Sequence, residues 1–142
     1  MLFRLRSSSY YVHRVFSHAR ADKVHAISTT TSFGPLYWVA TSANNASTFF
    51  LHLANVNEAP VPITGTIQGA FIDRGISISQ LNATATLIAA SPGQPYNVTN
   101  SLDTPDAVKP TTFPITINPD GQDLVFNFTA AGWSYGVYSF TV

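Results

Sequence analysis

The sequence predicts an all-β fold: an antiparallel, jelly-roll-like β-sandwich preceded by one short α-helix. Three observations predict it. After Phe33, apolar residues recur with period two in short runs. Those runs are separated by turn residues, of which Asn118-Pro119-Asp120-Gly121 is the strongest group. Only before residue 19 does helical spacing appear, with Tyr11/Val15 and Val12/Phe16 four apart and Val12/Val15 three apart.

The helix is expected over residues 8–18, with Ser7, Ser8 or Ser9 able to cap its start. Its apolar stripe needs a surface to cover. Residues 19–32 turn small and polar, with Ser or Thr at every position from Ser28 to Ser32, and read as a linker. Two units follow, an N-terminal segment 1–32 and a sandwich 33–142. The sandwich opens on Phe33-Gly34-Pro35-Leu36-Tyr37-Trp38-Val39-Ala40, where Gly-Pro punctuates the entry and Tyr, Trp and Val suit a pleated surface.

Thr48–Asn55 alternates Phe49, Leu51 and Leu53 against Phe50, His52 and Ala54, and Val61–Ile67 alternates Ile63 and Ile67 with Thr64 and Thr66. A less regular run covers Thr84–Ala90, and another covers Phe113–Ile117. Leu124, Phe126 and Phe128 share one side of a further strand, opposite Asp123, Val125 and Asn127. Tyr138, Phe140 and Val142 close the chain. That gives seven or eight strands. Pro92–Pro114 holds five of the nine prolines and is expected as a long crossover connection.

Composition narrows the function. Of the 142 residues only 10% are charged, against about 25% in an ordinary soluble domain, while 45% are hydrophobic. The formal net charge is zero, which gives no reason to expect nucleic acid or an anionic membrane as partner. Five of the seven basic residues precede Val24. With no cysteine, there is no disulfide framework, thiolate metal site or cysteine nucleophile. No apolar run approaches the ~18 residues of a membrane-spanning helix. The Arg- and Ser-rich start resembles a transit peptide, but the helical spacing of Tyr11, Val12, Val15 and Phe16 accounts for it better. Four Asn-x-Ser/Thr sequons, at Asn45, Asn82, Asn97 and Asn127, point to N-glycosylation and an extracellular setting.

Catalytic chemistry is scarce. The only glutamate, Glu58, stands beside Ala59-Pro60 in a loop, and Asp103, Asp106, Asp120 and Asp123 sit in turn contexts, so no carboxylate pair suited to glycoside hydrolysis emerges. Asn118, Asp120 and Asp123 supply too few oxygens for a calcium loop and fit a hairpin turn. His13 and His18 lie on different sides of a helix and His52 stands alone on a strand, so no metal set or cofactor site is expected. No serine occupies a Gly-x-Ser-x-Gly elbow. Trp38 and Trp133 could stack on sugar, although aromatics in a sandwich more often fill its core.

A resemblance carries the reading further. Tyr10-Tyr11-Val12, Val15-Phe16-Ser17, the Phe33–Ala40 stretch, Phe50–Asn55, Asn100-Ser101-Leu102-Asp103-Thr104-Pro105 with Val108 and Pro110, and Trp133-Ser134 with Val137 occur in that order. Together they resemble the C-terminal part of fungal α-L-arabinofuranosidases of glycoside hydrolase family 51. His13-Arg14, His18–Ala21 and Gly65–Gln80 depart from that pattern, and residues 1–7 match nothing in it.

The resemblance implies a division of labour. A TIM-type barrel in such enzymes carries two catalytic glutamates for retaining hydrolysis of terminal arabinofuranosides in arabinan and arabinoxylan. A β-sandwich then packs against it. Residues 8–18 are expected to be the barrel's last helix, meeting the barrel through Tyr11, Val12, Val15 and Phe16. No catalytic residue maps onto this chain. The expected function is that of a sandwich fragment of a secreted arabinofuranosidase, inactive alone. The alternative is a free carbohydrate-binding or structural module that meets plant cell-wall polysaccharide.

Overall fold

The computed structural model describes residues 7–29, 36–43, 47–69, 81–91, 93–95, 97–121 and 123–141. Phe33-Gly34-Pro35, the boundary between residues 32 and 33 and sequon Asn45 lie outside them. The elements run α1 (Ser8–His18), β1 (Lys23–His25), β2 (Leu36–Ala43), β3 (Thr48–Asn55), β4 (Val61–Ile67), β5 (Asn82–Ala90), β6 (Val108–Pro114), β7 (Thr116–Asp120), β8 (Asp123–Ala130) and β9 (Ser134–Thr141). All strand pairs are antiparallel. A six-stranded sheet, β1-β2-β3-β9-β5-β6, faces a three-stranded sheet, β4-β8-β7. This is the expected all-β sandwich with one short helix.

The alternation read from the sequence builds the core directly. Leu53, Ala85, Leu124, Phe126, Tyr138 and Phe140 are buried between the sheets, with Trp38, Phe49, Leu51, Ile63 and Phe128 packed around them. Phe128 stacks on Tyr138 at 3.8 Å between ring centroids, and Phe126 meets Phe140 at 4.8 Å. Each fully buried large apolar side chain contributes about 1.5–3 kcal/mol. The hydroxyl of Tyr138 is buried without a hydrogen-bond partner among the described residues, and burial pushes its pKa up to about 12.

Three expectations need correction. Residues 19–32 are not wholly a linker, because Lys23–His25 form β1 and pair with Ala40–Ser42 of β2. Three residues are too few to show a period. The Pro92–Pro114 passage is not wholly a crossover, because Val108–Pro114 form β6 against β5. β6 is an edge strand, where prolines without an N–H are tolerated. The chain then changes sheets at one residue, buried Ile115, whose N–H donates to the Ala83 carbonyl at 2.9 Å. Lastly, Asn118-Pro119-Asp120 belong to β7 rather than to a turn. Asp120 pairs with Asp123, and the reversal is tighter, with Gly121 at φ 60° in the left-handed region.

Candidate functional site

In α1, the Ser7 hydroxyl accepts from the Tyr10 N–H at 3.2 Å and caps the first turn. The helix lies on the outer face of the six-stranded sheet. Tyr11 is 5% exposed and clusters with Ile88 of β5 and Val108 of β6, with Val12, Val15, Val98 and Tyr135 packed around them. This overturns one part of the expected contact set. Tyr11, Val12 and Val15 cover the chain's own sheet, so they are not a free stripe. Only Phe16 of the four remains open, at 59% exposure. Period 3.6 identifies which helix face is buried but not what buries it.

Residues directly opposite in adjacent strands share a face, so the registers map what α1 covers. One row runs Tyr37, Ala54, Tyr135, Ile88, Pro110 and the next runs Val39, His52, Val137, Thr86, Thr112. The helix seats on the β9-β5-β6 half. On the β1-β2-β3 half Tyr37 stays 64% exposed, and Val39, with Val24 of β1, is exposed beside it. Phe16 overhangs the boundary between the halves, 5.1 Å from the ring of His52.

His52, alone on its strand in sequence, is buried at the centre of this face. Its Nδ1 shares a 3.0 Å hydrogen bond with the Tyr135 hydroxyl, 83 residues away in the chain. Burial lowers the His52 pKa and pushes that of Tyr135 up to about 12. No sequence signal joins the two, because only the β3–β9 pairing makes them neighbours.

The opposite surface differs in kind. The outer side of the small sheet presents Thr64, Thr66, Asn127 and Thr129, all exposed, with the Thr64 hydroxyl donating to Asn127 Oδ1 at 2.8 Å. Asn82 and Asn97 are exposed as well. Glu58 is exposed in the β3–β4 turn, away from any carboxylate partner described. Among the described residues no group of three or more His, Asp or Glu could hold a metal ion. The two tryptophans divide: Trp38 packs on the core, while Trp133 is exposed.

Trp133 stands at φ 47°, a region that costs a non-glycine residue about 1 kcal/mol or more. Buried Asn55 holds the turn before it. Its Nδ2 faces the carbonyls of Ala130 and Ala131 at 3.1 and 2.9 Å, and its Oδ1 accepts from the N–H of Asn57 at 3.0 Å. A side chain at Gly132 would run into the Glu58 carbonyl, so the turn needs glycine there.

A probable α-L-arabinofuranosidase A of Aspergillus flavus is 32% identical to this chain over 133 residues, 94% of the chain but 18% of that protein. This chain matches the C-terminal region of fungal α-L-arabinofuranosidase A. It spans less than one fifth of the length of such relatives. No protein-family model matches it. An arabinose-bound GH51 α-L-arabinofuranosidase superposes with a TM-score of 0.68 at 20% identity, over 96% of this chain and 20% of that one. A family 51 α-L-arabinofuranosidase from Bifidobacterium longum does so with a TM-score of 0.58 at 19% identity, over 97% of this chain and 26% of that one. At such identities these two matches establish the fold alone.

The arabinofuranosidase-like motifs have structural reasons here. Asn100 lies against the edge strand β6, its Oδ1 accepting from the Val108 N–H at 2.6 Å and its Nδ2 donating to the Val108 carbonyl at 2.8 Å. One side chain thus occupies part of an open sheet edge. Ser101 and Thr104 close the turn that carries Leu102, with their hydroxyls 2.9 Å apart. Leu102 itself is 76% exposed.

Proposed function

We propose that this chain is the C-terminal β-sandwich portion of a secreted α-L-arabinofuranosidase. The parent enzyme hydrolyses terminal non-reducing α-L-arabinofuranosides of arabinan or arabinoxylan on a catalytic barrel. This chain is without activity by itself. One observation carries the reading: nearly the whole chain aligns with such enzymes, yet it covers only 18% of their length. Its chemistry agrees, since one exposed glutamate supplies no acid/base and nucleophile pair.

In this reading α1 is the junction with the barrel, and the open half of the six-stranded sheet is the barrel's seat. Phe16, Val24, Tyr37 and Val39 make the contact, displacing Tyr11, Val12 and Val15 from that role. Support comes from one-sidedness, because apolar side chains cluster around α1 while the small sheet's outer side is polar. Asn127 lies on that polar side, where a glycan would not obstruct docking. Asn82 and Asn97 are further acceptor sites by the same criterion of exposure, and Asn45 is one by sequence.

A blot of native culture fluid with an antibody against residues 101–123 tests the reading. A deglycosylated band larger than 15.3 kDa by at least a barrel, about 250 residues, is the expected result. A band at the mass of this chain, or hydrolysis of an aryl arabinofuranoside by the purified chain above a denatured control, overturns it. One observation favours the binding-module alternative, namely the exposed Trp133 on its strained turn. That alternative requires retention by arabinoxylan that Trp133→Ala abolishes without unfolding the domain.

A further inference from the structure

The centre of the α1-bearing face holds a buried base that no acid among the described residues pairs. His52 is 7% exposed, its Nδ1 3.0 Å from the Tyr135 hydroxyl, with the ring centroids of Phe16 and Phe50 at 5.1 and 6.3 Å. Its cross-strand neighbours are Val39 on β2 and Val137 on β9, and Ala54 follows it on its own face of β3. The titratable group facing it from β9 is Tyr135. On α1, His13, Arg14 and His18 are exposed, and His18 Nδ1 donates to the Arg14 carbonyl at 2.7 Å. No negative charge among the described residues faces the ring.

We propose that His52 is a proton-sensitive latch for the last turn of α1. Neutral His52 accepts the Tyr135 proton at Nδ1, lies flush with the sheet and lets Phe16 close over it. An imidazolium carries hydrogens on both ring nitrogens, so the Tyr135 hydroxyl must turn to accept from Nδ1, and the buried charge still needs water or an anion to solvate it. Among the described residues no anion faces the ring, and the Phe16 ring packs against it. Lifting the last turn of α1 exposes the ring and restores its hydration. The phenol cannot relieve the charge by ionising, because burial holds its pKa at about 12. Phe16 and Phe50 attract a cation weakly, which desolvation outweighs.

The sign follows from proton linkage. Burial lowers the His52 pKa in the seated state. Well above the ordinary histidine value of about 6.5 both states are neutral and the helix is fully held. As pH falls below that value the open state binds the proton first, so seating weakens until the seated form also protonates. The latch concerns contacts within this chain and stands whether or not a barrel precedes it.

Amide hydrogen exchange of residues 11–18 in the full chain, corrected for the intrinsic pH dependence of exchange, tests it at about pH 7.5 and about pH 5. The expected result is a several-fold loss of α1 protection at the lower pH, with β3 and β9 unchanged. His52→Phe, which keeps an aromatic ring but cannot titrate, is expected to remove the pH dependence. Equal protection of the wild type at both values overturns the proposal, as does a His52→Phe chain that loses as much as wild type. An NMR titration of the wild-type His52 ring makes the test independent of the variant's folding. Its midpoint is expected below about 6.5, and a midpoint at or above that value overturns the latch.

Discussion

The core between the two sheets and the cluster beneath α1 bury the same kinds of side chain, yet they are completed differently. Between the sheets, Leu53, Leu124, Phe126, Tyr138 and Phe140 are enclosed by strands that alternate on both sides. Beneath α1, Tyr11, Ile88 and Val108 are buried, but the helix spans half of the sheet and leaves Tyr37 and Val39 open beside it. The first region is closed by the chain itself. The second has the form of a junction, apolar, partly covered and rimmed by exposed aromatics. Stability of the sandwich belongs to the first, and the association proposed above would belong to the second.

Phe126→Ala is the most severe way to break this contrast. Removing that ring from the inter-sheet core is expected to cost about 3–5 kcal/mol and to unfold both sheets in one urea transition. A first transition that spares one sheet would show that the core is not a single unit. Tyr11→Ala is expected to cost less, about 2 kcal/mol, and to act locally. Exchange in α1 should rise while the strands stay protected, and equal loss in β3 and β9 would erase the distinction between the regions.

Tyr138→Phe sharpens the comparison from inside the core. Its hydroxyl is buried without a partner among the described residues, so removing it should leave stability unchanged or raise it by up to about 1 kcal/mol. A marked loss of stability would reveal a partner for that hydroxyl. The smallest effect on folding, within about 0.5 kcal/mol, is expected for the pair Tyr37→Ser and Val39→Thr on the open half. The same pair should weaken binding to a separately produced arabinofuranosidase barrel. Unchanged binding in a pull-down or by calorimetry would remove this face from the interface.

Some of this contrast was legible in the residues and some was not. The alternation of Phe49, Leu51 and Leu53, and of Leu124, Phe126 and Phe128, announced both strands and their buried faces. Asn127 was correctly placed on the polar side by the same alternation. β1 escaped because three exposed residues carry no period, and β6 because its prolines resemble a connection. Trp133 is as aromatic as Trp38, yet it sits outside, on a turn held by the Asn55 side chain and by the bond from the Trp133 N–H to the Asn57 carbonyl.

By itself, the sequence determined the fold class, the helix and most of the turn-bounded strands. Those properties follow from residue type and local spacing. Tertiary structure decided what α1 covers, which apolar residues remain open, and that His52 meets Tyr135 across 83 residues of chain. Periodicity records that a face is to be buried. Which surface buries it depends on strand order and register, and those are set by the packing of the whole sandwich.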